Sequence, residues 1–380
     1  MNEHPPTGAE TAHSENGLAF VKLMRSSGFA VIDTVSERSL GTVGEGQHPH
    51  GLAVHPTGRW VYLAYASSGT VEVVDTRTLE VVHETAAVGT APIGMACSRD
   101  GQYLYVTAYG ELPDTETAGL SVLRTNARSS RELEVVAHHP IGKCAGTVVD
   151  ESDDLWVALK DENEVIRLDS PESPEPVDRL AVPGDPQDVA YAPTYRLFGV
   201  NNVEDGSVSF VDIRERRVLA TVDAPNPRGG AVSPVTDRWF VSDTEGDGLT
   251  VIDLAGETPT RVGRISLETP TAFADVAPGG EFAVVDAYED DRVTFIDTRT
   301  LEPISRVRTG DTPRHPRFSA DGQRCYVPNV DGDSFTILDT SVLFEQDAPE
   351  PTVRTHIELP EDSSPSSCFL TERTGRGSYR

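Results

Sequence analysis

The 380-residue chain contains few lysines, few cysteines and no long hydrophobic run. Only three of its 32 basic residues are lysines, and they stand against 61 Asp and Glu, so the formal net charge is −29. So large an excess of negative charge repels nucleic-acid phosphates and anionic lipid headgroups. The composition therefore predicts that neither nucleic acid nor an anionic membrane is a partner.

The sequence also lacks the features of membrane-spanning and secreted chains. No stretch approaches the roughly 20 apolar residues that span a bilayer, and residues 1–17 have neither a basic start nor an apolar segment. The four cysteines are scattered and form no CxxC pair, as expected for reduced thiols. We therefore expect a cytoplasmic monomer, with a disordered N-terminal tail over residues 1–17, one domain over residues 18–372 and a C-terminal tail over residues 373–380.

A sustained helical period is missing as well, whereas a short strand-like phrase recurs through the chain. The phrase consists of two or three apolar residues, an Asp and a turn. Its clear copies end at Asp33, Asp75, Asp212, Asp253, Asp297 and Asp339, and two degenerate copies end at Arg124 and Asp169. The intervals are 42, 49, 45, 43, 41, 44 and 42 residues, and the longest contains the insertion GELPDTETAG. A period just above 40 residues is typical of a β-propeller blade.

Residues 49–90 show how one period divides into four strands. The segments GLAVHP, WVYLAYA, TVEVVD and LEVVHETAAV are separated by short turns, two of which contain Gly. Alternating apolar residues between such turns are typical of consecutive antiparallel hairpins. We name the four strands A to D, with A innermost.

The number of inner strands predicts the number of blades. Strand A follows a Pro or its equivalent at Pro49, Pro92, Cys144, Pro186, Pro227, Pro270, Pro313 and Pro365. Residues 18–46 supply strands B, C and D without a strand A, whereas the strand from Pro365 has no B, C or D after it. The two fragments complete each other, so we expect an all-β, eight-bladed propeller whose C-terminal strand closes the ring. Seven blades is the alternative.

The repeat text resembles the YVTN-repeat β-propeller family. The resemblance is carried by segments such as PHGLAVHPTGRWVYLAYASSGTVEVVDTRTLEVV and PRHPRFSADGQRCYVPNVDGDSFTILDT, and by YVTA at Tyr105–Ala108 and YVPN at Tyr326–Asn329. This family is similar to the eight-bladed haem-binding domain of dissimilatory nitrite reductases, and more distantly to propeller lactonases. The resemblance implies the fold strongly and a function only weakly. No c-type CxxCH motif is present to supply an electron donor.

The candidate ligand site lies where the D–A and B–C loops surround the central channel. The first two residues of each strand A include several glycines, which we attribute to crowding of the inner strands. The polar members are the predicted ligand-binding residues: His50, Gln187, Asp188, Arg228, Arg314, His315 and Ser366. Arg and His concentrate in blades 8, 1 and 2, and guanidinium groups bind carboxylate or phosphate.

Metal ligation is weakly indicated. His48 and His50 are the weak candidates, since strand alternation would place both on one side, but Pro49 disturbs the strand and no further ligand has suitable spacing. Acids and amides in the B–C loops, including Asp243, Asp286 and Asn329, are interpreted mainly as solvated surface groups.

Three functions remain open. The leading hypothesis is a module that binds a small anionic ligand or a protein partner at the channel mouth. The alternatives are a lactonase- or lyase-like enzyme and a tetrapyrrole-binding propeller. The cofactor is therefore unknown, with a haem-type tetrapyrrole or a divalent metal as the candidates. Catalytic motifs such as GxSxG, HExxH and the P-loop do not occur.

Overall fold

A computed structural model describes residues 17–85, 87–110, 118–125, 132–171, 175–345 and 350–371. Apart from Gly17, both predicted tails lie outside the described residues, as does most of the insertion after Gly110. Within the described ranges, no helix is long and apolar enough to cross a membrane.

The described strands form eight four-stranded antiparallel sheets, which confirms the eight-bladed propeller. Strands are numbered in chain order, and each blade is given from its innermost strand outward. Blade 1 consists of β32 (Pro365–Leu370), β1 (Leu18–Leu23), β2 (Ser27–Asp33) and β3 (Arg38–Gln47). Blade 2 consists of β4 (Pro49–Val54), β5 (Trp60–Tyr65), β6 (Thr70–Asp75) and β7 (Glu80–Glu84). Blade 3 consists of β8 (Pro92–Cys97), β9 (Tyr103–Ala108), β10 (Gly119–Thr125) and β11 (Leu133–His139). Blade 4 consists of β12 (Cys144–Val149), β13 (Leu155–Leu159), β14 (Glu164–Leu168) and β15 (Asp178–Ala181).

The second half of the ring has the same construction. Blade 5 consists of β16 (Pro186–Ala192), β17 (Leu197–Asn202), β18 (Ser207–Asp212) and β19 (Arg217–Asp223). Blade 6 consists of β20 (Pro227–Ser233), β21 (Arg238–Asp243), β22 (Gly248–Asp253) and β23 (Thr260–Ser266). Blade 7 consists of β24 (Ala274–Val276), β25 (Phe282–Ala287), β26 (Arg292–Asp297) and β27 (Pro303–Arg308). Blade 8 consists of β28 (Arg317–Phe318), β29 (Arg324–Asn329), β30 (Ser334–Asp339) and β31 (Thr352–Glu358). Two short 3-10 helices, Tyr288–Asp290 and Ser341–Phe344, complete the described elements.

The hydrophobic core lies between the blades. In β1, Leu18 and Phe20 pack toward blade 2, whereas Ala19 and Val21 pack toward blade 8. Both faces of each middle strand are therefore buried, which explains why strands B and C are almost continuously apolar in sequence. A modest hydrophobic content suffices because each apolar side chain is shared between two sheets.

The recurring Asp of the repeat phrase shapes the turn between strands C and D. The Oδ1 atom of Asp33 accepts hydrogen bonds from the backbone N–H groups of Val35 and Ser36, both at 2.9 Å. The other five clear copies accept comparable bonds from residues two or three positions later. Such an Asx turn needs an Asp at the end of the strand, so the repeat marks a turn and not a catalytic residue.

The ring closes in blade 1 by pairing of the two ends of the described chain. Strand β32 pairs antiparallel with β1, and Leu18 donates its N–H to Thr371 Oγ1 over 3.1 Å. Closure pairs the inner edge of β1 and completes blade 1 as a four-stranded sheet, as the fragmentary first and last repeats predicted.

The inner strands of blades 7 and 8 begin later than predicted. The sequence placed their starts at Pro270 and Pro313, but the strands begin at Ala274 and Arg317. The preceding backbone instead bonds to a buried carboxylate, because Asp286 accepts the N–H groups of Ala272, Phe273 and His315. The first residues of these two blades therefore lie in loops.

The closing strand should contribute strongly to stability. Leu370 is 1% exposed between blades 8 and 1, and its replacement in Leu370→Ala should lower the free energy of unfolding by about 2–5 kcal/mol. Val353→Ala, on the outer strand of blade 8, should change it by no more than about 0.5 kcal/mol. Deletion of residues 360–380 should lower the thermal midpoint further than either substitution. A truncated protein as stable as the full chain would contradict closure by β32.

Candidate functional site at the channel mouth

Crowding of the inner strands limits which residues can occupy their first positions. A Cβ atom on Gly94 would lie 2.4 Å from Thr107 Oγ1, and one on Gly146 would lie 2.5 Å from a methyl group of Val189 in the next blade. Side chains at these positions would therefore clash, as the sequence analysis expected. Only the blades with polar residues at these positions can therefore offer side chains to a ligand at the mouth.

The predicted residues of blades 5 and 6 bind one another. Arg228 donates through Nη1 to Gln187 Oε1 at 2.9 Å and to Asp188 Oδ2 at 3.3 Å. Gln187 in turn donates to Asp185 Oδ2 at 2.6 Å. The cation in this sector already has an acidic partner, so Arg228 is not an open anion-binding group.

The predicted residues of blades 8, 1 and 2 form a second sector with a different charge balance. The pKa of His315 is held well below its ordinary value, first by burial and then by the charges of Arg317, Lys22, Arg314 and His50. His50, Lys22, Arg314 and Arg317 therefore lie near enough to His315 at the mouth for their charges to act on it. We call these five residues the cationic sector.

His50 is held in a defined orientation at the start of β4. Its Nδ1 atom lies 3.1 Å from the carbonyl oxygen of Ile93, so Nδ1 carries the proton and donates it. Nε2 then keeps its lone pair and has no protein partner among the described residues. Burial lowers the pKa of His50 to about 4, and the nearby charge of Lys22 acts in the same direction. The imidazole is therefore neutral near pH 7.

His315 is positioned by stacking and by its backbone. Its ring lies on Phe273 with centroids 3.3 Å apart and an interplanar angle of 20°. Its φ of 46° places it in the left-handed region, where its N–H donates to Asp286 Oδ2 at 3.2 Å. The loop of blade 8 therefore presents this imidazole, whereas the sequence analysis placed it on strand A.

The guanidinium groups of the cationic sector are only partly compensated. Arg314 lies over the ring of Tyr288, 4.6 Å from its centroid. Arg317 approaches Asp275 at 3.9 Å, the outer limit of an ion pair. Asp275 also accepts the N–H of Phe318. Arg314 makes no ion pair among the described residues, so it keeps donors for a ligand.

Two residues of this sector, Lys22 and Arg317, are not among the ligand-binding residues predicted from the sequence. Lys22 was not identified, because it lies on strand B of blade 1 and not at the start of an inner strand. Ser366 was predicted, but its buried hydroxyl has no hydrogen-bond partner in the described chain, and the same holds for Ser367. Closure of the ring places these serines beside Lys22.

The weak metal candidates do not converge. His48 adopts a φ of 52° before β4 and places Nδ1 2.5 Å from Ser67 Oγ, whereas His50 binds the Ile93 carbonyl. The left-handed turn at His48 breaks the strand alternation on which the metal interpretation depended. The described residues contain no group of three or more His, Cys, Asp or Glu placed to hold a metal ion.

The interpretation of the B–C loop acids and amides as surface groups is wrong for blades 5 to 8. Asn202, Asp243, Asp286 and Asn329 end their B strands fully or almost fully buried. Asn329 accepts the N–H of Gly310 and donates to Ser334 and Thr336, which joins neighbouring loops. Asn329, the final residue of the YVPN phrase, therefore connects the loop at Gly310 to β30. The composition of the loop did not reveal this role.

Comparison with known proteins now identifies the family. A model described as the cytochrome D1 haem domain matches residues 14–236. The chain belongs to this family. The resemblance to haem-binding propellers expected from the repeats is confirmed. A comparison with curated proteins gives no match.

Solved structures show the same fold. The dihydro-haem d1 dehydrogenase NirN, in complex with DHE, is similar with a TM-score of 0.75 and 20% identity over 97% of this chain and 78% of that chain. Hydrazine synthase of Kuenenia stuttgartiensis is similar with a TM-score of 0.58 and 20% identity over 77% of this chain and 96% of that chain. A Bacteroides fragilis protein assigned as a 6-phosphogluconolactonase has a TM-score of 0.61 and 12% identity over 96% of this chain and 99% of that chain. At these identities the likeness concerns the fold alone.

The buried Asp286 carboxylate predicts a pH-dependent contribution to stability. Burial raises its pKa to about 6. Since the folded pKa lies above the unfolded value, the stability from this group is present below about pH 4 and is lost as the pH rises through about 6. The free energy of unfolding of the wild type, relative to Asp286→Asn, should therefore fall by ~3 kcal/mol over that window.

Denaturant titrations from pH 4 to pH 7 would measure this difference, with the exposed neighbour Asp290→Asn as the matched control. A difference between wild type and Asp286→Asn that stays constant with pH would contradict a buried carboxyl group that titrates near pH 6.

Proposed function

We propose that the chain binds a haem-type tetrapyrrole at the channel mouth, where His50 would hold the iron through Nε2. The observation that carries the proposal is the free Nε2 of a partly buried, neutral imidazole in a member of the cytochrome D1 haem domain family. The NirN structure, which shares this fold, is that of a dihydro-haem d1 dehydrogenase in complex with DHE. When bound, such a group supplies a redox-active iron.

The donor set at His50 fits iron ligation. A metal-binding imidazole is neutral and usually donates its other N–H to a carbonyl or carboxylate, which fixes the ring. His50 meets both conditions, because its Nδ1 donates to the Ile93 carbonyl and burial keeps the ring neutral. The protein would therefore present Nε2 without reorganising the ring.

The charge of the cationic sector fits the periphery of such a ligand. Tetrapyrroles of the haem type carry carboxylates, and a guanidinium group binds a carboxylate through two parallel hydrogen bonds. Arg314 makes no ion pair in the described chain, although its charge acts on Asp286, and Arg317 is only loosely paired. These two residues would hold carboxylates, while Arg228 would not, because Asp188 and Gln187 already bind it.

The proposal refines the leading hypothesis of a small anionic ligand, since a tetrapyrrole with carboxylates belongs to that class. It favours the tetrapyrrole alternative over a protein partner. A lactonase- or lyase-like activity stays a prediction from the sequence. The similar structures share only the fold with this chain.

Titration with haem d1, and with iron protoporphyrin IX as a second probe, tests the proposal. The wild type should show saturable binding with the absorption spectrum of an imidazole-ligated iron. His50→Ala should lose that spectral signature, and added free imidazole should restore it, because the substitution removes the imidazole that would bind the iron. A wild type that binds neither tetrapyrrole, or a His50→Ala spectrum identical to that of the wild type, would contradict the proposal.

The arginines provide a matched pair of variants. Arg314→Ala should weaken binding roughly 10- to 150-fold, because a charge-assisted hydrogen bond contributes about 1.5–3 kcal/mol. Arg228→Ala should leave the affinity nearly unchanged. Arg314→Lys should restore binding only in part, since an ammonium group lacks the planar fork. Equal affinities of all three variants and the wild type would remove the cationic sector from the binding site.

A further inference from the structure

Lys22 is a partly buried amine at the channel-mouth end of β1. It pairs with Phe29 of β2, and strand alternation places it on the side of Leu18 and Phe20, which faces blade 2. Its charge lowers the pKa of both His50 and His315, so it lies near both imidazoles of the cationic sector. The family motif and the inner-strand pattern do not point to this residue.

The charge of Lys22 has no partner in the described chain. The other two lysines form ion pairs, Lys143 with Asp161 at 2.8 Å and Lys160 with Asp185 at 3.1 Å. Burial lowers the pKa of Lys22 to about 8, which is the effect of withdrawing an ammonium group from water without an anion to balance it. A buried, unbalanced cation destabilises a fold unless a ligand supplies the opposite charge.

Hydroxyl groups without partners lie opposite Lys22. The pairing of β1 with β32 shifts register between Val21 and Leu23, so the single residue Lys22 stands opposite Ser366 and Ser367. The hydroxyls of both serines are buried and have no hydrogen-bond partner among the described residues. One point of the mouth therefore combines an unpaired cation with two unused donors.

Nearby carboxylates are committed elsewhere. Asp286 accepts three backbone N–H groups beneath the loops of blades 7 and 8. Asp333 accepts the N–H groups of Asp362, Ser363 and Ser364. Neither carboxylate makes a hydrogen bond or ion pair with Lys22, Ser366 or Ser367 among the described residues.

We propose that Lys22, with the hydroxyls of Ser366 and Ser367, forms a subsite for a carboxylate-sized oxyanion. The oxyanion is either a peripheral carboxylate of a bound tetrapyrrole or a free small carboxylate beside it. The first source rests on the proposed function, and the second does not. In both cases the ammonium group of Lys22 binds the oxyanion by charge attraction and takes no part in a chemical step.

The test compares wild type, Lys22→Met and the control Lys160→Met with three probes. These are iron protoporphyrin IX, its dimethyl ester, in which both carboxylates are neutral, and formate. If the tetrapyrrole supplies the oxyanion, Lys22→Met should weaken iron protoporphyrin IX binding roughly 10- to 150-fold and leave ester binding unchanged. If the oxyanion is free, formate should raise the thermal midpoint of the wild type but not that of Lys22→Met. Lys160→Met should behave as the wild type throughout.

A stability measurement separates this role from a structural one. Without ligand, Lys22→Met should be at least as stable as the wild type, because it replaces an unbalanced buried charge by an apolar chain of similar length. The double variant Ser366→Ala, Ser367→Ala should also weaken binding of the probe whose binding Lys22→Met weakens. A Lys22→Met protein of lower thermal midpoint, or one that binds all three probes as the wild type does, would overturn the proposal.

A wild type that binds no tetrapyrrole but responds to formate through Lys22 would refute the proposed function and support the subsite. If the wild type binds iron protoporphyrin IX through His50, and Lys22→Met binds every probe as the wild type does, the result would support the proposed function and refute the subsite.

Discussion

The pairing of β32 with β1 is the contact on which the remaining structure depends. Each blade buries both faces against its neighbours, so an open ring would expose two apolar sheet faces and a strand edge at once. Hydrogen bonds from the first described strand to the last remove that edge. The same contact builds the candidate site, because it brings Lys22 from the N-terminal segment to Ser366 and Ser367 from the C-terminal one.

The two sectors of the channel mouth differ in how their positive charges are balanced. A chain with a net charge of −29 collects Lys22, Arg314 and Arg317 in one sector, where burial and mutual repulsion keep His50 and His315 neutral. Across the ring, Arg228 is balanced by Asp188. The contrast leaves Lys22 and Arg314 without an ion-pair partner among the described residues, whereas Arg228 joins adjacent blades.

Much of the fold followed from the sequence alone because its causes are local. Asp at the end of each C strand forms its own turn, alternating apolar residues form the hairpins, and the fragments at Leu18 and Pro365 revealed the closure. The inner strands of blades 7 and 8 were placed four residues too early, since Asp286 on β25 of blade 7 accepts backbone N–H groups that precede both strands. No local pattern at Pro270 or Pro313 reports that contact.

The sequence by itself determined the eight-bladed architecture and the concentration of His and Arg in blades 8, 1 and 2, because the repeat period assigns each residue to a blade. Only the tertiary structure decided which of these groups are open. Arg228 and Arg314 occupy equivalent positions in the repeat, yet one meets Asp188 and the other the ring of Tyr288. Ring closure placed Lys22 opposite Ser366 and Ser367. Burial and partners are set by segments distant in sequence, and these long-range contacts fix the charge state and accessibility of every group at the mouth.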